Sequence, residues 1–138
     1  MALSFIALAT AQASGPHALR IVGGLPGVAQ YTQLEKPFWT EEIARMSGGR
    51  ITATIQPSDV GIARSADMLK LMRLGTVPFG TAILSLVAGE EPDLDILDLP
   101  GIQPDAPSLR AFVSINRGSV ADVLRQRYRT KLLGLYVY

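Results

Sequence analysis

The sequence predicts an α/β domain with a mostly parallel sheet flanked by helices. Short apolar or alternating runs that suit strands take turns with longer segments of helical periodicity, and glycines or prolines end several of these elements. The order β-α-β-α-β-α-β implies right-handed crossovers between parallel strands. At 138 residues the chain is long enough to bury one core of this kind.

The first predicted unit is a strand followed by an amphipathic helix. Ala18–Leu25 is rich in β-formers and leads into glycines and a proline. From Tyr31 to Met46 the apolar residues recur every three to four positions, which places them on one helix face. Pro37 lies inside this stretch, so we expect a kink or a late helix start there. The run Ser47–Gly49 ends the helix, because glycine readily takes the left-handed cap conformation.

A second strand and helix follow in the same pattern. Arg50–Gln56 alternates apolar and polar residues with a period of two, which predicts a strand that ends at Pro57. Ser65–Leu74 is predicted to be a helix with Ser65 as its N-cap, and Gly75 stops it.

The third strand is predicted from a mostly apolar run, Val77–Leu84, which suits a strand buried on both faces. A long segment rich in proline and aspartate follows, from Glu90 to Pro107. Its acidic side chains, and the basic ones near the chain end, are interpreted as solvated surface charge.

The last predicted unit is a helix and a fourth strand. Asp105 or Ser108 caps a helix that runs to about Tyr128, and we expect Gly118 to break it in two. Lys131–Tyr138 is almost continuously apolar after its first residue, which predicts a fourth strand buried in the sheet.

The N-terminal segment is typical of an export signal. Residues Ala2–Thr10 are uncharged and mostly apolar, and they lead into the small-x-small pattern Ala11–Ala13. We therefore expect residues 1–13 to be a signal peptide and residues 14–138 to form the domain. No lysine or arginine precedes the apolar run, so either the true start lies inside a longer signal or the segment is buried.

Composition excludes several classes of function. The net charge is only +1, which gives no general attraction to nucleic acid. The chain has no cysteine, and its one histidine, His17, falls near the expected mature terminus, where we expect it to be disordered. We expect no catalytic residues, no metal site and no cofactor.

Six short patterns occur in an order that resembles a known family. They are Ser47-Gly48-Gly49-Arg50-Ile51, Pro57, Met68-Leu69…Leu71…Arg73-Leu74-Gly75, Val77-Pro78-Phe79-Gly80, Ile96-Leu97-Asp98-Leu99-Pro100-Gly101, and Tyr128…Lys131-Leu132-Leu133-Gly134-Leu135. Together they resemble the N-terminal lobe of the solute-binding proteins of TRAP (tripartite ATP-independent periplasmic) transporters, of the C4-dicarboxylate-binding type. The resemblance runs from about Leu19 to the last residue. It departs at Pro78, where the family usually has an acidic residue.

The resemblance implies the first lobe of a periplasmic-binding-protein type II-like fold, truncated before the second lobe. It also implies a periplasmic, non-enzymatic receptor that captures an organic acid and delivers it to the TRAP membrane permease subunits, without itself spanning the membrane. In that family an arginine of the second lobe pairs with the ligand carboxylate. Because that lobe lies beyond Tyr138, we expect the chain alone to bind carboxylates poorly.

The candidate ligand-binding residues lie at the predicted carboxyl ends of the strands, where open parallel sheets bind ligands. Gly24 and Leu25 belong to a glycine-rich turn that lets a ligand approach backbone N–H groups. Arg64 precedes a helix N-terminus, which suits an anion. Thr81 and Ser85 offer hydroxyl groups after the third strand.

Two other functions remain open from the sequence. A periplasmic sensory domain could use the same lobe architecture. A dinucleotide-dependent oxidoreductase is the other alternative, but the glycine spacing after the first strand does not match G-x-G-x-x-G. The second strand also ends in Gln56 instead of an acidic residue.

Overall fold

The structure is a computed structural model that describes residues 15–61, 63–87, 89, 91–95 and 105–136. The predicted signal peptide, residues 1–13, and the pattern at residues 96–101 lie outside the described residues.

Three parallel strands form the sheet and confirm the predicted fold class. They are β1 (His17–Val22), β2 (Ile51–Gln56) and β3 (Phe79–Gly80), in the order β2-β1-β3. β1 lies beside β2 along its whole length and meets β3 only at its carboxyl end. His17 is therefore ordered, contrary to the expectation, because its N–H donates to the Arg50 carbonyl at 2.8 Å.

The first helical region covers one face of the sheet. It comprises two π-helical segments, Gln30–Glu35 and Phe38–Glu42, and then α1 (Ile43–Met46). Pro37 lies between the π-helical segments with helical dihedral angles, so the helix begins before it rather than after it. Proline has no N–H to donate, and wider turns lie on both sides of it.

Four helices pack on and beside the other face. They are α2 (Met68–Arg73), entered through a 3₁₀ turn at Ser65–Asp67, then α3 (Leu84–Val87), α4 (Pro92–Asp95) and α5 (Ala106–Tyr128). Two apolar clusters hold them. One lies beside the sheet end, at Val22, Ala63, Met68 and Val77. The other joins the helices, at Leu69, Val87, Leu94, Val120, Leu124 and Tyr128.

The long helix α5 confirms one terminal prediction and corrects another. Asp105 caps it, as its carboxylate accepts the Ser108 N–H at 2.7 Å, and this bond lowers the pKa of the Asp105 carboxyl. The helix continues through Gly118, so the predicted break is wrong. Gly118 is exposed, and packing of Val120 and Leu124 on the opposite side holds the helix together across it.

The predicted third strand is too long, and the predicted fourth strand is wrong. β3 has only two residues, residues 81–83 form no strand, and the last residue of the apolar run, Leu84, begins α3, whose Val87 packs in the helical cluster. Residues 131–136 form no strand. Leu132 and Leu135 pack on that same cluster, while the Leu133 carbonyl accepts a bond from Arg117 at 3.2 Å instead of a ladder bond. Val137 and Tyr138 lie outside the described residues.

Within the part of the chain that the structure describes, no helix combines the length and the apolar character needed to cross a bilayer.

Candidate functional site

The carboxyl ends of the three strands meet at one edge of the sheet. The turn after β1 bonds to the turn after β2, since the Ser58 N–H donates to the Gly24 carbonyl at 3.0 Å. On the other side, the Thr81 N–H donates to the Val22 carbonyl at 2.9 Å and extends β3 by one bond. This edge therefore brings together three loops that are distant in sequence, as the rule for open parallel sheets requires.

A buried carboxylate lies at the centre of this edge. Glu35, in the first π-helical segment, is only 8% exposed. Its Oε2 accepts the Gly24 N–H at 2.7 Å, and its Oε1 accepts the Thr81 hydroxyl at 2.9 Å. The glutamate thus ties the first helical region to the ends of β1 and β3.

Two further donors complete the cluster. Gln30 Nε2 donates to Glu35 Oε1 at 3.1 Å and to the Tyr136 hydroxyl oxygen at 2.5 Å. Tyr136, about half exposed, in turn donates its hydroxyl proton to Glu35 Oε1 at 2.6 Å. We call Gly24, Gln30, Glu35, Thr81 and Tyr136 the Glu35 cluster.

Gly23 leaves the space that the carboxylate needs. A Cβ at this position would lie 2.5 Å from Glu35 Oε2 and 2.8 Å from the Tyr31 ring. The same close packing affects Tyr31: burial and the nearby charge of Glu35 both raise the pKa of its phenol. The carboxylate pocket is therefore formed by the backbone as well as by side chains.

A second polar group lies at the end of β2. Asp59 accepts the Ser65 N–H at 2.9 Å and the Ser65 hydroxyl at 2.7 Å, and the backbone bond is the main reason that its pKa is lowered. Ser65 also contacts the Ser58 hydroxyl at 2.9 Å. The start of the second helical region is thus occupied by the chain's own aspartate.

The structure places the five sequence-predicted residues as follows. Gly24 and Thr81 come together through Glu35, with Gly24 buried and Thr81 half-buried. Leu25 is half-buried in the adjoining turn. Arg64 and Ser85 are exposed on neighbouring elements, because α3 packs against the 3₁₀ turn that Arg64 precedes.

Sequence reasoning missed three members of the cluster: Gln30, Glu35 and Tyr136. A signal for Glu35 was present, since it lies four residues after Tyr31 and three before Phe38, on the helix face that the pattern predicts to be buried. A charged residue on such a face is unusual and marks a polar partner inside the fold. Tyr136 had no such signal, because its run was interpreted as a strand.

The cluster has the chemistry of hydrogen bonding rather than of metal binding. Among the described residues no group of three histidine, aspartate or glutamate side chains could hold a metal ion. No buried side-chain nitrogen or oxygen in that part of the chain lacks a hydrogen-bond partner.

Comparison with solved structures supports the fold. No protein-family profile and no curated protein sequence matches this chain. The structure is similar to a TRAP periplasmic solute-binding protein from Rhodobacter sphaeroides, solved in an apo open form. The match has a TM-score of 0.61 and 16% sequence identity, and it covers 82% of this chain and 35% of that one. The chain therefore spans about a third of the length of that structure.

Proposed function

We propose that this chain forms one wall of the binding cleft of an extracytoplasmic solute receptor, which captures a small organic acid for a TRAP-type membrane permease. The observation that carries the proposal is the polar cluster at the carboxyl ends of parallel strands, in a fold similar to that of a TRAP solute-binding protein. Ligands of open parallel sheets bind at this edge.

Five residues line the proposed wall: Gly24, Leu25, Arg64, Thr81 and Ser85. Arg64 is the one among them that would meet a ligand carboxylate, because it is an exposed residue and a guanidinium group offers paired N–H donors. The other four shape the surface beside it.

A single wall binds its ligand weakly. Arg64 is exposed to water, and an exposed ion pair contributes about 0–1 kcal/mol. Immobilising a ligand costs several times more. We therefore expect organic acids to bind the 138-residue chain with a Kd no tighter than about 1 mM, or about −4 kcal/mol. Tight binding would require a second wall that closes over the ligand.

We propose a periplasmic location, because residues 1–13 resemble a signal peptide that is removed on export. Expression in a bacterial host followed by mass spectrometry of the periplasmic fraction tests this. The expected product begins at Ser14, whereas soluble periplasmic protein that retains Met1 would contradict the proposal.

An NMR titration of the isotope-labelled chain tests the binding function. Millimolar succinate should move the backbone amide signals of the five wall residues. Arg64→Gln should weaken succinate binding about threefold, in line with an exposed ion pair. Arg73→Gln is the matched control, since Arg73 is an exposed arginine at the far end of α2.

Two results would overturn the proposal. One is an absence of shifts at the strand ends with every organic acid tested. The other is binding of a nicotinamide dinucleotide more tightly than any acid, which would favour the oxidoreductase alternative.

A further inference from the structure

The Glu35 cluster uses up its hydrogen-bond donors. An ionised carboxylate only accepts hydrogen bonds, so every group bonded to Glu35 must donate a hydrogen bond to it. The Gly24 N–H donates to Glu35 Oε2 at 2.7 Å. A threonine hydroxyl has one proton, and that of Thr81 is donated to Glu35 Oε1 at 2.9 Å.

The remaining two side chains follow the same rule. The single hydroxyl proton of Tyr136 goes to Glu35. Gln30 Nε2 has two protons, one directed at Glu35 and the other at the Tyr136 oxygen. The reverse orientation of the Gln30 amide is excluded, because it would place a carbonyl oxygen 3.1 Å from a carboxylate oxygen.

We propose that this part of the wall recognises hydrogen-bond donors of the ligand, its hydroxyl or ammonium groups, and not its carboxylates. The inference rests on the proposed function and names the ligand chemistry of that site. Since the Thr81 hydroxyl proton is committed to Glu35, Thr81 Oγ1 can only accept from another molecule. Gln30 Oε1 is an amide oxygen, which only accepts, and both protons of Gln30 Nε2 are already directed at the cluster. A hydroxy or amino acid would then direct its hydroxyl or ammonium group at Thr81 Oγ1 and keep its carboxylate away from it.

A ligand carboxylate would be disfavoured at Thr81 for two reasons. It would find acceptor oxygens where it needs donors, and losing hydration without a new partner is costly for a charged group. It would also lie near the buried charge of Glu35, where the low local dielectric strengthens repulsion between like charges.

The test compares two ligands of equal charge and chain length on the unaltered chain. Succinate has no hydroxyl group, and tartrate is its dihydroxy derivative, used as each enantiomer. Both are titrated into labelled protein at the same pH and ionic strength and followed by NMR. We expect one tartrate enantiomer to bind at least about threefold more tightly than succinate, as one added hydrogen bond predicts. That enantiomer should also move the Thr81 backbone and Gln30 side-chain amide signals.

Two variants locate the preference. Thr81→Val removes the hydroxyl and should abolish the preference for tartrate, whereas Thr81→Ser restores a hydroxyl and should restore it. Thermal unfolding and the NMR spectrum show whether each variant is folded. If the valine variant does not fold, the comparison of ligands on the unaltered chain decides by itself.

The outcomes separate the two proposals. If succinate binds as tightly as both tartrate enantiomers and moves the same signals, the inference is wrong while the receptor function stands. If no acid moves any strand-end signal, both the function and the inference are wrong. Tartrate preference that persists in folded Thr81→Val also overturns the inference.

Discussion

Two buried glutamates lie in different parts of this domain, and their hydrogen-bond partners differ in charge. Glu35, 8% exposed, lies at the strand ends and accepts only from neutral donors in its described contacts. Glu91, 3% exposed, lies between the short helices and α5, where it forms an ion pair with Arg127 and accepts from the Tyr128 hydroxyl at 3.3 Å.

The difference shows which carboxylate can shape a binding site. The charge of Glu91 is balanced by a guanidinium group whose side chain is 55% exposed and also meets Asp93 at 2.9 Å. Such an ion pair joins the helices, and its two opposite charges largely cancel each other's electrostatic effect on neighbouring groups. Glu35 has no cationic partner among its described contacts and accepts from the neutral donors around it, so it determines what the neighbouring surface offers to a ligand.

The largest expected effect comes from removing each carboxylate. Glu35→Ala removes the acceptor of four donors, and one of them, the Gly24 N–H, is buried, so we expect it to lower the free energy of unfolding by about 3 kcal/mol. Glu91→Ala should lower it by about 1–2 kcal/mol, because Arg127 can turn to water. Urea unfolding measures both, with exposed Glu41→Ala as a control expected to lie within about 0.5 kcal/mol of the parent. Equal losses at the two sites would remove the contrast.

The Glu35 pocket was only partly predictable from sequence. The rule for strand ends singled out Gly24 and Thr81, and the structure brings these two residues together at Glu35. The partner that joins them lies on a helix, and a tyrosine 101 residues further along completes the bonds. Such contacts depend on how the helices pack, which local periodicity does not encode.

The same reason explains the two strand errors. An apolar run such as Val77–Leu84 suits either a buried strand or a buried helix. Here the strand is confined to Phe79–Gly80, while Leu84, at the end of the run, begins α3 and packs against the helical cluster. In residues 131–136, contacts of Leu132 and Leu135 with α5 outweighed the strand propensity.

The second prediction tests the backbone part of the Glu35 pocket. Gly23→Ala should lower the free energy of unfolding by about 1–3 kcal/mol, because the new methyl would collide with Glu35 and the Tyr31 ring. Gly24→Ala is the matched control. Its Cβ would lie 3.6 Å from its nearest neighbours, and we expect a change of no more than about 0.5 kcal/mol. Thermal or urea unfolding of both variants decides, and a tolerated Gly23→Ala would show that the pocket is looser than described.

The third prediction uses Tyr31 as a reporter of the charge on Glu35. Burial and that charge both raise the pKa of the phenol, so NMR should show Tyr31 titrating above the ordinary value of about 10. Because the Tyr31 pKa is raised in the folded state, the protonated phenol contributes to stability. That contribution is fully present below the pKa of Tyr31 in the unfolded chain, and it is lost as the pH rises through the pKa of Tyr31 in the folded chain. Glu35→Gln should lower the Tyr31 pKa part of the way, while Glu91→Gln should leave it unchanged. If Glu35→Gln left the Tyr31 pKa as high as in the parent, burial alone would act on Tyr31.

The smallest expected effects separate the two clusters by their tyrosines. Each glutamate accepts from one phenol, at 2.6 Å from Tyr136 and at 3.3 Å from Tyr128. The first distance lies within the usual range for an O–H···O bond and the second lies beyond it. We therefore expect Tyr136→Phe to lower the free energy of unfolding by about 1 kcal/mol, and Tyr128→Phe by less than about 0.5 kcal/mol. Only Tyr136→Phe should also shift the Gln30 side-chain amide signal in NMR, because it removes the oxygen to which that amide donates. If Tyr128→Phe is the more damaging of the two, burial of the phenol outweighs hydrogen-bond length. The two glutamates would then differ less in how they are held than their contacts indicate.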